Sequence, residues 1–362
     1  MTELSVIVPT FNERGNVHEL VKRLSEVLAG ISWKVIFVDD DSPDGTADAV
    51  RELAQKDSNI RCLQRVGRRG LASATIEGML ATSSPYLAVM DGDLQHDEAL
   101  LPAMLEVLRR EPVDIVVGSR YVEGGGVGEW TESRALISQW AGKLSRIIVR
   151  ADLADPMSGF FMVRRESFHR VLPRLSGVGF KILLDLFASS ARPLRFKELP
   201  FQFRPRHAGE SKLDSQVAWE YLLLLLDKLF GNVVPVRFVA FSIVGGLGVI
   251  FHMLVLTVAF KGLGYGFVSS QAMATIAAMT FNFILNNLLT YRDRRLRGWG
   301  LLRGWITFNL ACGVGAMANV GVASYLFGTR MDLWAVSALA GIVVGAVWNY
   351  ALTQIYTWKA RK

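Results

Sequence analysis

The chain has 362 residues, with 40 Lys and Arg against 33 Asp and Glu, 20% charged and 51% hydrophobic residues, and a mean hydropathy of +0.29. That balance excludes a disordered or collagen-like chain, and it is too apolar for an ordinary soluble enzyme unless the apolar residues are unevenly spread. They are: from Gly231 onward there are 11 basic residues and 2 acids, Asp293 and Asp332, a net of +9, so residues 1–230 hold 29 basic and 31 acidic residues, a net of −2.

The basic excess belongs to the apolar half. It argues against a nucleic-acid partner and for a membrane orientation signal. Cys62 and Cys312 lie far apart and fit neither a disulfide framework nor a cysteine metal site. The start, Met-Thr-Glu-Leu-Ser, runs straight into a strand-like segment without a basic and apolar leader, so a cytoplasmic N-terminal half is expected.

In chain order, the hydrophobic pattern predicts strands at Leu4–Val8, Lys34–Val38, Ile60–Leu63, Tyr86–Met90 and Asp114–Val117. Helices are predicted between them, at Asn16–Leu28, Thr46–Gln55, Gly70–Leu80 and Leu100–Arg110. This alternation predicts an α/β fold with a mostly parallel sheet and helices on both faces. Glu123–Trp130 carries four glycines and reads as a mobile loop; Ser211–Phe230, leucine-rich but charged, reads as an interfacial helix. After Pro235 come four apolar runs, about Val236–Phe260, Phe267–Leu289, Leu301–Phe327 and Leu333–Tyr356, each long enough to span a bilayer. The arginine-rich connection Tyr291–Arg303 and both termini are expected on the cytoplasmic side. No internal repeat is evident. The expected domains are 1–210, an interfacial linker at 211–231, and a four-span membrane domain at 232–362.

Ligands of such sheets lie beyond the carboxyl ends of the strands, and the acidic clusters fall there. Asp91-Gly92-Asp93 follows the fourth predicted strand, and two carboxylates two residues apart can reach one hard cation. That cation, Mg2+ or Mn2+, would bridge diphosphate oxygens. Asp44 and Thr46 suit the cap of the following helix. His96 suits a structural role, since such cations seldom take imidazole.

Val8-Pro9-Thr10-Phe11-Asn12-Glu13, Val38-Asp39-Asp40-Asp41-Ser42-Pro43-Asp44-Gly45-Thr46 and the Asp91 motif together resemble the nucleotide-sugar site of glycosyltransferase family 2, whose fold is GT-A. Asp155-Pro156-Met157-Ser158-Gly159-Phe160-Phe161 and Arg206-His207-Ala208-Gly209-Glu210-Ser211-Lys212 narrow the resemblance to the dolichol- or polyprenol-phosphate mannose synthases. The likeness covers about Leu4–Phe230. The four-span region is similar to the GtrA-type membrane domain fused to some of these enzymes.

The resemblance implies transfer of mannose from GDP-mannose to a polyprenyl or dolichyl monophosphate at the inner membrane. Pro9, Phe11, Glu13, Val38 and Asp40 would line the nucleotide pocket, with Phe11 where the family usually has tyrosine. Asp91, Asp93 and Gln95 would surround the metal, and Gly92 lies between them. Arg120, Arg134 and Ser138 would meet the acceptor phosphate, with Arg120 and Arg134 also catalytic. Arg206 and Lys212 would hold the donor. Lys143, Arg164 and Arg165 are expected to be solvated surface charges.

Another donor, such as UDP-glucose, remains open, as does a part for the membrane domain in glycolipid flipping. The asparagines of the predicted spans bear on the second question, being either a polar path or interhelical glue. A processive polysaccharide synthase is disfavoured, because no Q-x-x-R-W motif occurs.

Overall fold

Short runs, most of them rich in β-branched and apolar residues, pair into one seven-stranded sheet: β1 (Leu4–Thr10), β2 (Trp33–Asp39), β3 (Ile60–Gln64), β4 (Tyr86–Val89), β5 (Ile115–Ser119), β6 (Phe161–Arg164) and β7 (Phe196–Pro200). The computed structural model describes residues 2–128, 149, 151–177, 181–204, 226, 235–291, 294–329 and 334–358. Two compact units emerge, Met1–Leu229 and Phe230–Lys362.

In the first unit the strand order is β3-β2-β1-β4-β6-β5-β7. All neighbours are parallel except β6, which runs antiparallel to both β4 and β5. The sheet is therefore mixed. Four residues, Phe-Met-Val-Arg, are too few for β6 to show its period in the sequence. Helices α1 (Arg14–Val27), α2 (Thr46–Ala54), α3 (Leu71–Leu80) and α4 (Leu101–Arg110) connect the first five strands. α5 (Arg165–Val171) and α6 (Ile182–Ser189) follow β6. α1 buries Val17, Leu20, Val21 and Leu24, the one-face spacing of an amphipathic helix.

Successive side chains of a strand point to opposite faces. Val6 and Val8 accordingly join a core with α1 and α4, while Ile7 joins a second core with α3 and α6. Truncating one of these buried leucines, such as Leu20 or Leu184, removes about 2–5 kcal/mol. Arg164, expected at the surface, instead donates to the carbonyls of Val113, at 2.7 Å, and Glu111, at 3.1 Å, and fastens β6 to the start of β5.

The second unit holds α7 (Val236–Thr257), α8 (Phe267–Leu285), α9 (Trp299–Thr329) and α10 (Trp334–Leu352). π-helical turns extend α7 (Val258–Gly262), α8 (Asn286–Thr290) and α10 (Thr353–Thr357). Among the described residues two helical stretches, Val236–Gly262 and Phe267–Thr290, are long and apolar enough to cross a membrane. Ile250, Leu254 and Val268 are more than half exposed, as lipid-facing positions are.

The amide of Asn282 lies against Gly248, and that of Asn349 lies against Gly315. The interval separating these two pairs also relates Phe241 to Phe308, Asn286 to Thr353, Thr290 to Thr357 and Tyr291 to Trp358. α8 packs on α9, and α10 packs on α7, as a two-fold relation requires. One helix hairpin is thus used twice. The repeat escapes the sequence reading because it survives only at contact positions, and the apolar residues between them interchange freely in lipid.

Candidate active site

β1 has β2 on one side and β4 on the other, so the chain reverses its direction of spread between β1 and β4, and a crevice opens there at the strands' carboxyl ends. The loops after β1, β2 and β4 meet at that crevice. Asn12 (φ 58), Asp41 (φ 57) and Leu94 (φ 63), one in each loop, are the non-glycine residues with positive φ among the described residues. Strain of this kind persists where the surroundings hold it and clusters at functional sites.

The first two loops are tied together. Asn12 N donates to Ser42 Oγ at 2.9 Å, Glu13 N to Thr46 Oγ1 at 3.0 Å, and Arg14 N to Asp44 Oδ2 at 3.2 Å. Asp44 also accepts from Thr46 N at 3.0 Å, but from the position before the helix cap, which is Gly45 rather than either residue expected to cap. Burial pushes its carboxyl up, but these hydrogen bonds prevail and hold it below the ordinary value. A β-carbon added to Gly92 would meet Thr10, Val8 and Glu13, so the third loop presses on the first and only a glycine fits comfortably between them.

Asp91 and Asp93 stand at the crevice. The Asp91 side chain is 38% exposed, and Asp93 is buried, its Oδ1 accepting from Gln95 N at 3.2 Å. His96 lies beneath them, stacked on Phe160 with centroids 5.2 Å apart and edged by Phe201 and Phe203. Its Nδ1 accepts from Asp91 N at 3.0 Å, which leaves the proton on Nε2, 3.7 Å from Asp91 Oδ2. Burial lowers the imidazole's pKa against the pull of both aspartates. Desolvation raises that of Asp91, opposed by His96 and reinforced by Asp93. Among the described residues no three His, Cys, Asp or Glu side chains converge as a metal cage. A pair of carboxylates is nevertheless what Mg2+ or Mn2+ uses when phosphate oxygens and water complete its shell, so the residues present fit such an ion. The Gln95 amide donates to the carbonyl of Arg204 at 3.0 Å.

Of the nucleotide residues named from the sequence, Pro9 and Val38 are register partners on β1 and β2. The Val38 side chain turns into the core against Gly78, which leaves its backbone for any contact in the crevice. Asp40 holds the loop after β3: Oδ1 accepts from Arg65 Nη1 at 2.8 Å, and Oδ2 accepts from Gly70 N at 2.7 Å. Burial raises its pKa against both partners. That loop carries Arg69, whose guanidinium sits 4.3 Å over the Phe11 ring.

Arg120 is bound through Nε and Nη2 to Asp155, each at 2.8 Å, and its backbone N–H donates to the same carboxylate. Gly159, in the same segment as Asp155, lies against Asp91 Oδ2 and the His96 ring. Arg204 pairs with Glu98 and Asp97. Arg134, Ser138, Arg206 and Lys212 lie outside the described residues, as does most of the segment expected as an interfacial helix.

Sequence reasoning missed Arg65 and Arg69, although basic residues crowded between Gly67 and Gly70 and their neighbours were a visible signal. It also missed Lys181, whose ammonium donates to the carbonyl of Met157 at 2.9 Å.

Residues 5–172 match the model of Glycosyl transferase family 2, and residues 240–358 match that of the GtrA/DPMS transmembrane domain. The chain is 35% identical to a dolichol-phosphate mannosyltransferase of Pyrococcus furiosus, over 98% of this chain and 99% of that one. It is 38% identical to the protein of that name from Saccharomyces cerevisiae, over 62% of this chain and 86% of the relative. Among solved structures, glucosyl-3-phosphoglycerate synthase from Mycobacterium tuberculosis, in complex with Mn2+, UDP and glucosyl-3-phosphoglycerate, aligns at a TM-score of 0.48 and 18% identity, over 63% of this chain and 80% of that one.

Proposed function

Since the chain belongs to the dolichol-phosphate mannosyltransferases of glycosyltransferase family 2 and carries a GtrA/DPMS transmembrane domain, we propose that this glycosyltransferase moves mannose from GDP-mannose to dolichyl or polyprenyl monophosphate with inversion at the anomeric carbon. The observation that carries this reading is the Asp91–Asp93 pair at the β1/β4 switch point, pressed by Gly92 against Glu13 and Thr10.

In this reading the nucleotide lies across the loops after β1 and β2, beside the Phe11 ring and the Arg69 guanidinium stacked on it. Its diphosphate reaches Asp91 and Asp93, which would hold Mg2+ or Mn2+. When bound, the ion supplies charge neutralisation for the departing diphosphate. The protein's own part is placement. His96 fixes the Asp91 backbone, Gly159 lets Asp91 sit close to the Asp155 segment, and the Arg120–Asp155 pair keeps that segment rigid. The acceptor is a phosphate monoester with a second pKa of about 6, largely dianionic at neutral pH, so its attack needs no protein base. Catalysis then rests on orientation and electrostatics rather than on proton transfer. Arg134, Ser138, Arg206 and Lys212 complete the proposal as phosphate-binding groups, and Gln95 as a further neighbour of the ion.

The isoprenoid tail requires a membrane. We place the protein in the inner membrane with four spans, and with the catalytic unit and both termini in the cytoplasm. The hairpin used twice supports an even number of spans. The test is a transfer assay on the full chain in detergent with polyprenyl phosphate, offering GDP-mannose, UDP-glucose and UDP-mannose in parallel. Lipid-linked mannose from GDP-mannose alone is the expected product. Transfer from a uridine nucleotide in preference would overturn the choice of donor.

A further inference from the structure

The fork of Arg120 that would clasp a phosphate in the paired fashion of guanidinium groups is engaged by Asp155, a carboxylate with no exposed side-chain surface. A second cation, Lys181, reaches the Asp155–Gly159 segment from a different element. Lys181 stands at the cap of α6 and is half-buried. Its ammonium donates to the Met157 carbonyl at 2.9 Å. Two residues on, Gly159 faces Asp91 Oδ2 and the His96 ring.

Asp91 and Asp93 attract cations but repel the phosphates that the reaction brings to them. A fixed ammonium on the segment that packs against Asp91 offsets that repulsion, and a lysine presents its charge as a point with three donors. From this juxtaposition of Lys181, Met157, Gly159 and Asp91 we infer that Lys181 is a phosphoryl-binding residue of the reaction. It contacts an oxygen of either the donor diphosphate or the acceptor monoester on the Asp91 side of the crevice. The inference rests on the glycosyl-transfer reading of the site.

Lys181→Gln and Lys181→Arg, made in the full chain and assayed in detergent with polyprenyl phosphate, separate binding from scaffolding. Glutamine keeps a donor for Met157 but loses the charge; arginine keeps the charge. A phosphoryl contact raises the KM of one phosphorylated reactant about tenfold or more in the glutamine variant, a step typical of one charge-assisted hydrogen bond. It leaves the arginine variant near wild type and flattens the salt dependence of that KM. A rise confined to the sugar nucleotide assigns the diphosphate, and a rise confined to the lipid assigns the monoester. Unchanged KM for both reactants in Lys181→Gln overturns the inference. So does an equal loss in both variants accompanied by a lower thermal midpoint, the result of a loop tether alone. If the wild-type protein transferred no sugar, the proposed function would fail separately. Affinities for GDP and for polyprenyl phosphate, measured without turnover, would then judge Lys181 by the same criterion.

Discussion

His96 grips Asp91 by its backbone: the imidazole Nδ1 accepts the Asp91 N–H at 3.0 Å, while Nε2 faces the same residue's carboxylate at 3.7 Å. One ring thereby sets both where the Asp91 main chain lies and how its side chain is oriented. His96→Phe keeps the stacking on Phe160 but loses both polar contacts. We expect activity or the apparent Mn2+ affinity to fall about 10–100-fold, the usual cost of removing an orienting partner. A manganese titration of activity on folded variant checks this.

Asp40 braces the loop after β3, its two oxygens accepting from Arg65 and Gly70. Asp40→Ala leaves the Arg65 guanidinium buried without that partner. We expect a loss of about 3–5 kcal/mol in stability, as when one member of a buried ion pair is removed, together with a higher KM for the sugar nucleotide. Denaturant titration and donor kinetics measure the two effects.

Asp114 accepts from Ser167 Oγ, Arg170 Nη2 and the backbone N–H of Arg195. Burial pushes its carboxyl up, but these donors prevail and hold it below the ordinary value. A carboxyl with a depressed folded pKa stabilises the fold above its unfolded value, near pH 3.9, and loses that contribution as pH falls through the folded value. Wild-type stability should therefore decline below about pH 4. Asp114→Ala should remove about 2–4 kcal/mol at neutral pH and flatten the acid limb. Chemical unfolding at several pH values gives both numbers.

Gly248 and Gly315 each face an asparagine of the following helix. A β-carbon at either position collides with that amide, so Gly248→Ala and Gly315→Ala should each destabilise the membrane unit by about 1–3 kcal/mol, the cost of overpacking. Thermal unfolding in detergent should give similar losses for the two variants if the hairpins are equivalent.

Much of this architecture could be read from the residues. The first five strands, their helices and the acidic turns all follow from apolar periodicity and from aspartates placed just after strands. β6 could not be read, because four residues carry too little period and an antiparallel insertion has no signature of its own. The division of labour among charges was also hidden. The sequence marks Asp40 and Arg120 as candidates for ligand contact, yet the fold supplies protein partners, Arg65 and Asp155, that lie 25 and 35 positions away. Such pairings depend on which loops the sheet order brings together, and composition does not encode that order. The repeated hairpin was hidden for the opposite reason: its contacts are local, but its matching residues are few.

The most direct test is transfer of labelled sugar from GDP-mannose to polyprenyl phosphate by the full chain, with and without chelator, beside Asp93→Ala. The account predicts lipid-linked mannose from the wild type, abolished by chelator and restored by Mn2+ or Mg2+, and a loss of at least about a hundredfold in the variant. Near-normal turnover by Asp93→Ala, or transfer indifferent to the chelator, would contradict it.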